Sequence, residues 1–295
     1  MTKLCRFNDD RLGIVDGNWV VDVSPALSVL PSLNWPAPLS DVLVANLPAV
    51  LRAAAPLVST GPRVSLDEAR FQSPVANPSK VIAAPVNYLK HQAEANADGG
   101  RNFAKDVKTI DEYGLFLKAN SSVVGFGEGI EITFPKRRTD HELELVAVIG
   151  KAGRNIRREQ SLAYIAGYCL GLDMTLRGPE DRSLRKSLDT FSIVGPWMVT
   201  TDEVQDPNTL DLRLEVNGVV RQQANTRDLV FNVQRLVEYA SMHYSLMPGD
   251  LIFTGTPEGV GPVVVGDQLH CSIESIGSAS ISVRSAAVQH ANAGK

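Results

Sequence analysis

What this chain lacks narrows its identity first. It carries only three cysteines, Cys5, Cys169 and Cys271, far apart and without the paired spacing of a zinc site or a disulfide framework. That scarcity fits a reduced compartment. No stretch approaches the length of a membrane span, and the first ten residues turn charged where a signal peptide needs an apolar core. The expected location is the cytoplasm, with no membrane partner. Nor is there a concentrated basic face, since 29 Lys and Arg are scattered among 33 Asp and Glu for a net charge of -4. Nucleic acid is therefore not an expected partner. Low-complexity tracts are missing too. What remains is ordinary for a globular protein, 44% hydrophobic and 21% charged over 295 residues. That is enough for one large domain, or for a main domain with a smaller attachment.

The pattern along the chain is rich in strand signals. Asp16-Gly17 between Leu12–Val15 and Trp19–Val21 predicts a β-hairpin, and Asn217-Gly218 after the alternating Leu212, Leu214 and Val216 predicts a second one. Apolar, β-branched runs at 81–84, 145–149 and 193–199 read as buried strands, and alternating runs at 269–275 and 279–285 add two more. Proline punctuates short helical patterns from Ser24 to Pro78, among them 40–46 and 49–55. Beyond them only two helices are expected, around 161–166 and over 232–244. The fold class is thus α+β and β-rich, with a small N-terminal domain at 1–75 and a larger domain at 76–290. No internal repeat and no regular βαβ alternation supports a Rossmann or TIM-barrel architecture.

Candidate chemistry concentrates in Asp140-His-Glu-Leu-Glu-Leu145, which begins polar and ends as a strand. Strand side chains alternate, so Glu142 and Glu144 share a face. Two like charges side by side need either solvent or a cation, and oxygen-only ligands select a hard ion. Spacing alone favours the bland reading, a solvated sheet edge. Asp173 follows the apolar run Tyr168-Cys-Leu-Gly-Leu172, where a surface acid is less expected, and it could complete a three-carboxylate set. It could equally be a turn aspartate, and spacing does not bring it to the glutamates. The glycines of Gly125-Phe-Gly-Glu-Gly129 and of 255–261 match no phosphate or dinucleotide loop, because neither is followed by the required helix. Both read as turns.

Several separated motifs, in order, resemble the fumarylacetoacetate hydrolase family. They are 140–145, Gly171-Leu-Asp-Met-Thr-Leu-Arg177, Lys186-Ser-Leu-Asp-Thr-Phe191, Gly195-Pro-Trp197 and the 248–261 segment, and the resemblance covers roughly 80–285. It implies a mixed β-roll catalytic domain and a homodimer. It implies Glu142, Glu144 and Asp173 as ligands of Mg2+ or Mn2+, with Ca2+ sometimes found, and Lys186 beside the metal. The resemblance places Thr256 in a turn that contacts the substrate carboxylate, and Arg177 and Lys118 are candidates for a distal carboxylate. Asn87–Glu94 resembles the segment in which a histidine and a glutamate activate water. His91 and Glu94, three residues apart, would face the same way on a helical turn.

The implied activity is hydrolysis of a carbon–carbon bond in an acylpyruvate such as fumarylpyruvate or maleylpyruvate, giving pyruvate and a carboxylic acid in aromatic-compound catabolism. The competing readings are decarboxylation or isomerisation of a 2-oxo acid at the same site, and a metal-dependent binding protein without catalysis. The chain departs from the family at Lys90 and Gly178, where aspartate is common, and at Asn120, where proline is common. Its 96–102 stretch reads as unusually flexible.

Overall fold

The computed structural model describes residues 2–97, 108 and 110–286. The flexible reading of 96–102 lies outside them from Asp98 onward, as do the last residues of the expected larger domain, 287–290. Strands dominate, as the alternation predicts. The described residues form a large mixed sheet of twelve strands, a five-stranded sheet and a three-stranded one.

Both faces of the large sheet are covered, which explains why its central strands read as continuous apolar runs. Along Leu143–Ile149, the odd residues Leu143, Leu145, Ala147 and Ile149 pack in the core that includes Leu212, Leu214, Leu269 and Cys271 of the five-stranded sheet. The even residues Val146 and Val148 join the opposite core, with Val44, Leu47 and Val50 of the helices Val42–Ala45 and Leu47–Ala54. Asp41 caps the first of these helices through the Val44 N–H, and its other carboxylate oxygen accepts the N–H groups of Ala76 and Asn77. A single buried aspartate therefore ties this helical layer to the chain that enters the strand Val81–Ala83.

The N-terminal segment continues the same sheet. Lys3–Phe7, Arg11–Asp16 and Trp19–Asp22 form a meander, and Lys3 and Leu4 pair with Val199 and Met198 of the strand Ser192–Thr200. Both expected hairpins are present. At the second, Asn217 and Gly218 take φ of 52° and 76°, the left-handed pair that such a two-residue turn requires. The helix Val233–His243 buries Val233, Leu236, Val237 and Ala240 as one face. The helix expected around 161–166 is corrected. A 3-10 helix spans Arg158–Tyr164, and Ile165 already belongs to the strand Ile165–Asp173, paired with Ile149. β-branched Ile165 gains more from the ladder than from another helical turn.

One topological feature places the site. Ile165–Asp173, Leu143–Ile149 and Leu251–Phe253 are consecutive neighbours in the large sheet. The same three chain segments continue as Thr175–Leu176, Thr139–His141 and Gly261–Val263, which form the three-stranded sheet in the same order. Glu142 and Asp173 stand where the chain passes from one sheet to the other, joined by an Asp173 N–H to Glu142 carbonyl hydrogen bond of 2.9 Å.

Candidate active site

Glu142, Glu144 and Asp173 are all buried, at 5%, 1% and 1% relative exposure, which excludes the solvated-edge reading. One carboxylate oxygen from each lies within 4.8 Å of the others. Three negative groups so close and so dry require compensation. Much of it is built in. Lys186 Nζ donates to Glu142 Oε2, Asp173 Oδ2 and Thr175 Oγ1, each at 2.7 Å. Lys118 Nζ donates to Asp173 Oδ1 and to the Phe191 carbonyl. Arg177 bridges Asp140 Oδ2 at 2.7 Å and Glu142 Oε1 at 3.0 Å, while Arg138 holds the other oxygen of Asp140 at 2.6 Å.

That compensation is uneven. Burial by itself would raise the Glu142 carboxyl, but Lys186 and Arg177 outweigh it and hold the group down to about 2. Among the described residues Glu144 has no cationic side chain bonded to it, and its carboxylate accepts one hydrogen bond, from the Gly255 N–H at 2.6 Å. Burial, followed by the charges of Asp173 and Glu142, pushes its carboxyl well above the carboxylate range. A divalent cation is the charge this arrangement still calls for, and all-oxygen donors suit a hard ion such as Mg2+ or Mn2+. The residues therefore fit the metal that the sequence implies.

His91 and Glu94 lie on the helix Leu89–Ala97. Glu94 Oε2 is 3.1 Å from His91 Nδ1, and Glu94 Oε1 accepts the Gly259 N–H at 3.1 Å. A carboxylate partner assigns the proton to Nδ1, leaving Nε2 as the basic nitrogen. His91 lies close enough to the triad that its imidazolium, when formed, helps hold the Glu142 carboxyl down. The helix is anchored through Asn87, whose amide donates to the carbonyls of Phe231 and Thr254 and accepts the Phe231 N–H. The preceding Val86 has φ of 48°, uncommon for a β-branched residue, so the chain bends sharply into this helix.

Three expected substrate contacts are otherwise engaged. Lys118 is buried against Asp173, and Arg177 is held by Asp140 and Glu142. Thr256 donates its hydroxyl to the Leu143 carbonyl at 2.9 Å and accepts from Gln222 Nε2 at 2.8 Å. Gln222 is the residue that sequence reasoning missed. Its Oε1 accepts the Leu143 N–H at 3.0 Å and faces His141 Nδ1 at 3.2 Å, while its Nε2 also donates to the Pro257 carbonyl at 3.0 Å. One buried amide thus clamps the strand bearing the glutamates to the turn at 255–257.

The departures also have local reasons. At Gly178 a Cβ would stand 2.0 Å from Arg137 Nη2, the guanidinium that pairs with Glu180. Asn120 donates to the carbonyls of Pro78 and Ser79. Lys90 is exposed, 3.7 Å from Glu258.

Comparison with known proteins agrees with this geometry. Residues 80–284 match the model for the fumarylacetoacetate hydrolase C-terminal domain. The chain is 54% identical to maleylpyruvate hydrolase from Aquipseudomonas alcaligenes, over 96% of this chain and 99% of that protein. It superimposes on maleylpyruvate hydrolase from Sphingobium sp. SYK-6 in complex with manganese(II) and pyruvate, with TM-score 0.81 and 37% identity, covering 97% of this chain and all of that one. A 2-hydroxyhepta-2,4-diene-1,7-dioate isomerase from Mycobacterium marinum is more distant, with TM-score 0.69 and 28% identity over 97% of this chain and 99% of that one. With its carboxylate triad, sheet crossing and family match together, the chain belongs to the fumarylacetoacetate hydrolase family.

Proposed function

We propose that the protein is a divalent-metal-dependent hydrolase that cleaves an acylpyruvate, with maleylpyruvate as the leading substrate, into pyruvate and a carboxylic acid during breakdown of aromatic compounds. The observation that carries this reading is the pairing of a buried carboxylate triad with a separate histidine–glutamate pair. The first suits a metal and a 2-oxo acid, and the second suits activation of water. The relatives named maleylpyruvate hydrolase support it, and the manganese and pyruvate of the Sphingobium complex are the expected cofactor and product.

Glu142, Glu144 and Asp173 would hold the metal. When bound, it supplies Lewis-acid stabilisation of negative charge developing on the 2-oxo group. His91 Nε2 takes a proton from water, and Glu94 steadies the imidazolium that forms. The water oxygen adds to the distal carbonyl carbon, the bond between that carbon and the pyruvyl methylene breaks, and its electron pair leaves as the pyruvate enolate. Lys186 donates towards the developing enolate oxygen, and protonation at carbon completes pyruvate. Maleylpyruvate and water thus become maleate and pyruvate. Thr256 contributes by fixing the turn beside the substrate carboxylate. We further read the protein as a cytoplasmic homodimer; among the described residues no helix is long and apolar enough to cross a membrane.

Product analysis tests the reading. Manganese-loaded protein incubated with maleylpyruvate should release equimolar pyruvate and maleate, and a chelator should stop it. Conversion of oxaloacetate to pyruvate and carbon dioxide, with maleylpyruvate left intact, would establish decarboxylation instead.

A further inference from the structure

The cations around the carboxylate triad are not equally engaged. Lys118, Lys186, Arg177 and Arg138 bind Asp173, Glu142 or Asp140, and Arg137 binds Glu180. Two guanidiniums in the same neighbourhood form no ion pair with any described residue. Arg185 donates only to the carbonyls of Glu180, at 2.8 Å, and Leu176, at 3.3 Å. Arg182 lies against two rings, its Cζ 5.1 Å from the Tyr113 centroid and 5.2 Å from that of Phe116. The adjacent Asp181 is occupied by Ser183, accepting from its N–H at 2.8 Å and from its hydroxyl at 2.7 Å.

Arg182 is also tied to the site by position. It stands one helical turn before Lys186, whose N–H donates to the Arg182 carbonyl at 3.1 Å, so the two side chains leave the same face of the turn. The Phe116 ring is shared, with Lys186 Nζ 5.4 Å from its centroid. One ring therefore contacts both a cation bound to the metal-binding carboxylates and a cation bound to none. Contact with two rings restrains the guanidinium without consuming its N–H donors, which stay available for an acid. Arg177, Arg182 and Arg185 also crowd one another: burial, then the charges of Arg177 and Arg182, lower the Arg185 group. An arriving anion relieves that repulsion.

We propose that Arg182 is the specificity residue that receives the distal carboxylate of a dicarboxylic 2,4-dioxo acid, with Arg185 adding positive potential behind it. The proposal rests on the acylpyruvate reading of the site. It assigns the distal group to a cation that sequence alone did not single out, in place of Lys118 and Arg177. A diacid such as maleylpyruvate would span from the triad to Arg182, whereas acetylpyruvate, which ends in a methyl group, would leave Arg182 unused.

The test compares these two acids with the manganese-loaded full chain. Arg182→Gln should lower kcat/KM for maleylpyruvate about 10–100-fold, mostly through KM, the loss of one charge-assisted pair. Acetylpyruvate should change by less than about 2-fold. Arg182→Lys should recover part of the loss, since it restores charge without the fork. Equal losses on both acids, or undiminished kcat/KM on maleylpyruvate, would overturn the assignment. Calorimetric binding of the same acids to the His91→Ala protein separates this subsite from hydrolysis itself. A preference for maleylpyruvate that Arg182→Gln erases upholds the subsite even where wild type turns over neither acid; absence of any preference overturns it.

Discussion

Glu142, Glu144 and Asp173 hang from the ends of paired strands, whereas His91 and Glu94 ride on the nine-residue helix Leu89–Ala97. The strands are fixed by their ladder and by cores on both faces, which is what holding three like charges within 4.8 Å demands. The helix is tied to its surroundings through Asn87 at its start and the Glu94–Gly259 bond, and Glu94 keeps its side chain 33% exposed. The contrast teaches a division of labour. On the proposed roles, sheet holds the groups where electrostatic repulsion has to be resisted, and a separately anchored helix carries the pair that moves a proton, so altering the helix should leave the charge frame standing.

The strongest way to break the contrast is to remove charge from the sheet. Glu142→Gln, Glu144→Gln and Asp173→Asn should each weaken manganese binding and lower turnover by more than about 10³-fold with the fold retained, since each deletes a ligand charge at nearly constant volume. Calorimetry and circular dichroism check both halves. Gln222→Leu comes next. It leaves the Leu143 N–H and the His141 ring without their buried partner, so chemical denaturation should show a loss of about 2–3 kcal/mol. An unchanged midpoint would mean that the turn at 255–257 needs no clamp. Glu94→Gln is the mildest. An amide offers one acceptor oxygen where His91 Nδ1 and the Gly259 N–H need two, so kcat should fall roughly 10-fold, about 1.4 kcal/mol, with manganese affinity unaltered. A loss as large as that of the triad variants would instead give Glu94 the proton itself.

The sheet half of the site was largely legible in the sequence, and the reason is periodicity. Two-residue alternation put Glu142 and Glu144 on one face, and the apolar run before Asp173 marked a strand end. Spacing could not say that the ends meet, because adjacency across a sheet depends on register and crossover rather than on local pattern; the family resemblance supplied that link. In the helix half, the three-residue spacing alone reads as a surface pair, and the family resemblance marked His91 and Glu94. Gln222 was hidden for a specific reason. Counting back from the Asn217-Gly218 turn sets Leu214 opposite Arg221, but a bulge between Leu214 and Glu215 shifts the register and brings Gln222 inward instead. The ion pairs of the cations were not legible either. Lys118 and Arg177 were candidates for a distal carboxylate, and their pairing with Asp173, Asp140 and Glu142 depends on contacts across the sheets that local pattern does not show.

The division of labour is tested most directly by measuring manganese affinity and maleylpyruvate turnover together in His91→Ala. The account predicts an affinity within about 2-fold of wild type and a kcat lower by about 10²–10⁴-fold, the usual range for loss of a general base. A parallel loss of metal binding, or turnover that survives undiminished, would contradict it.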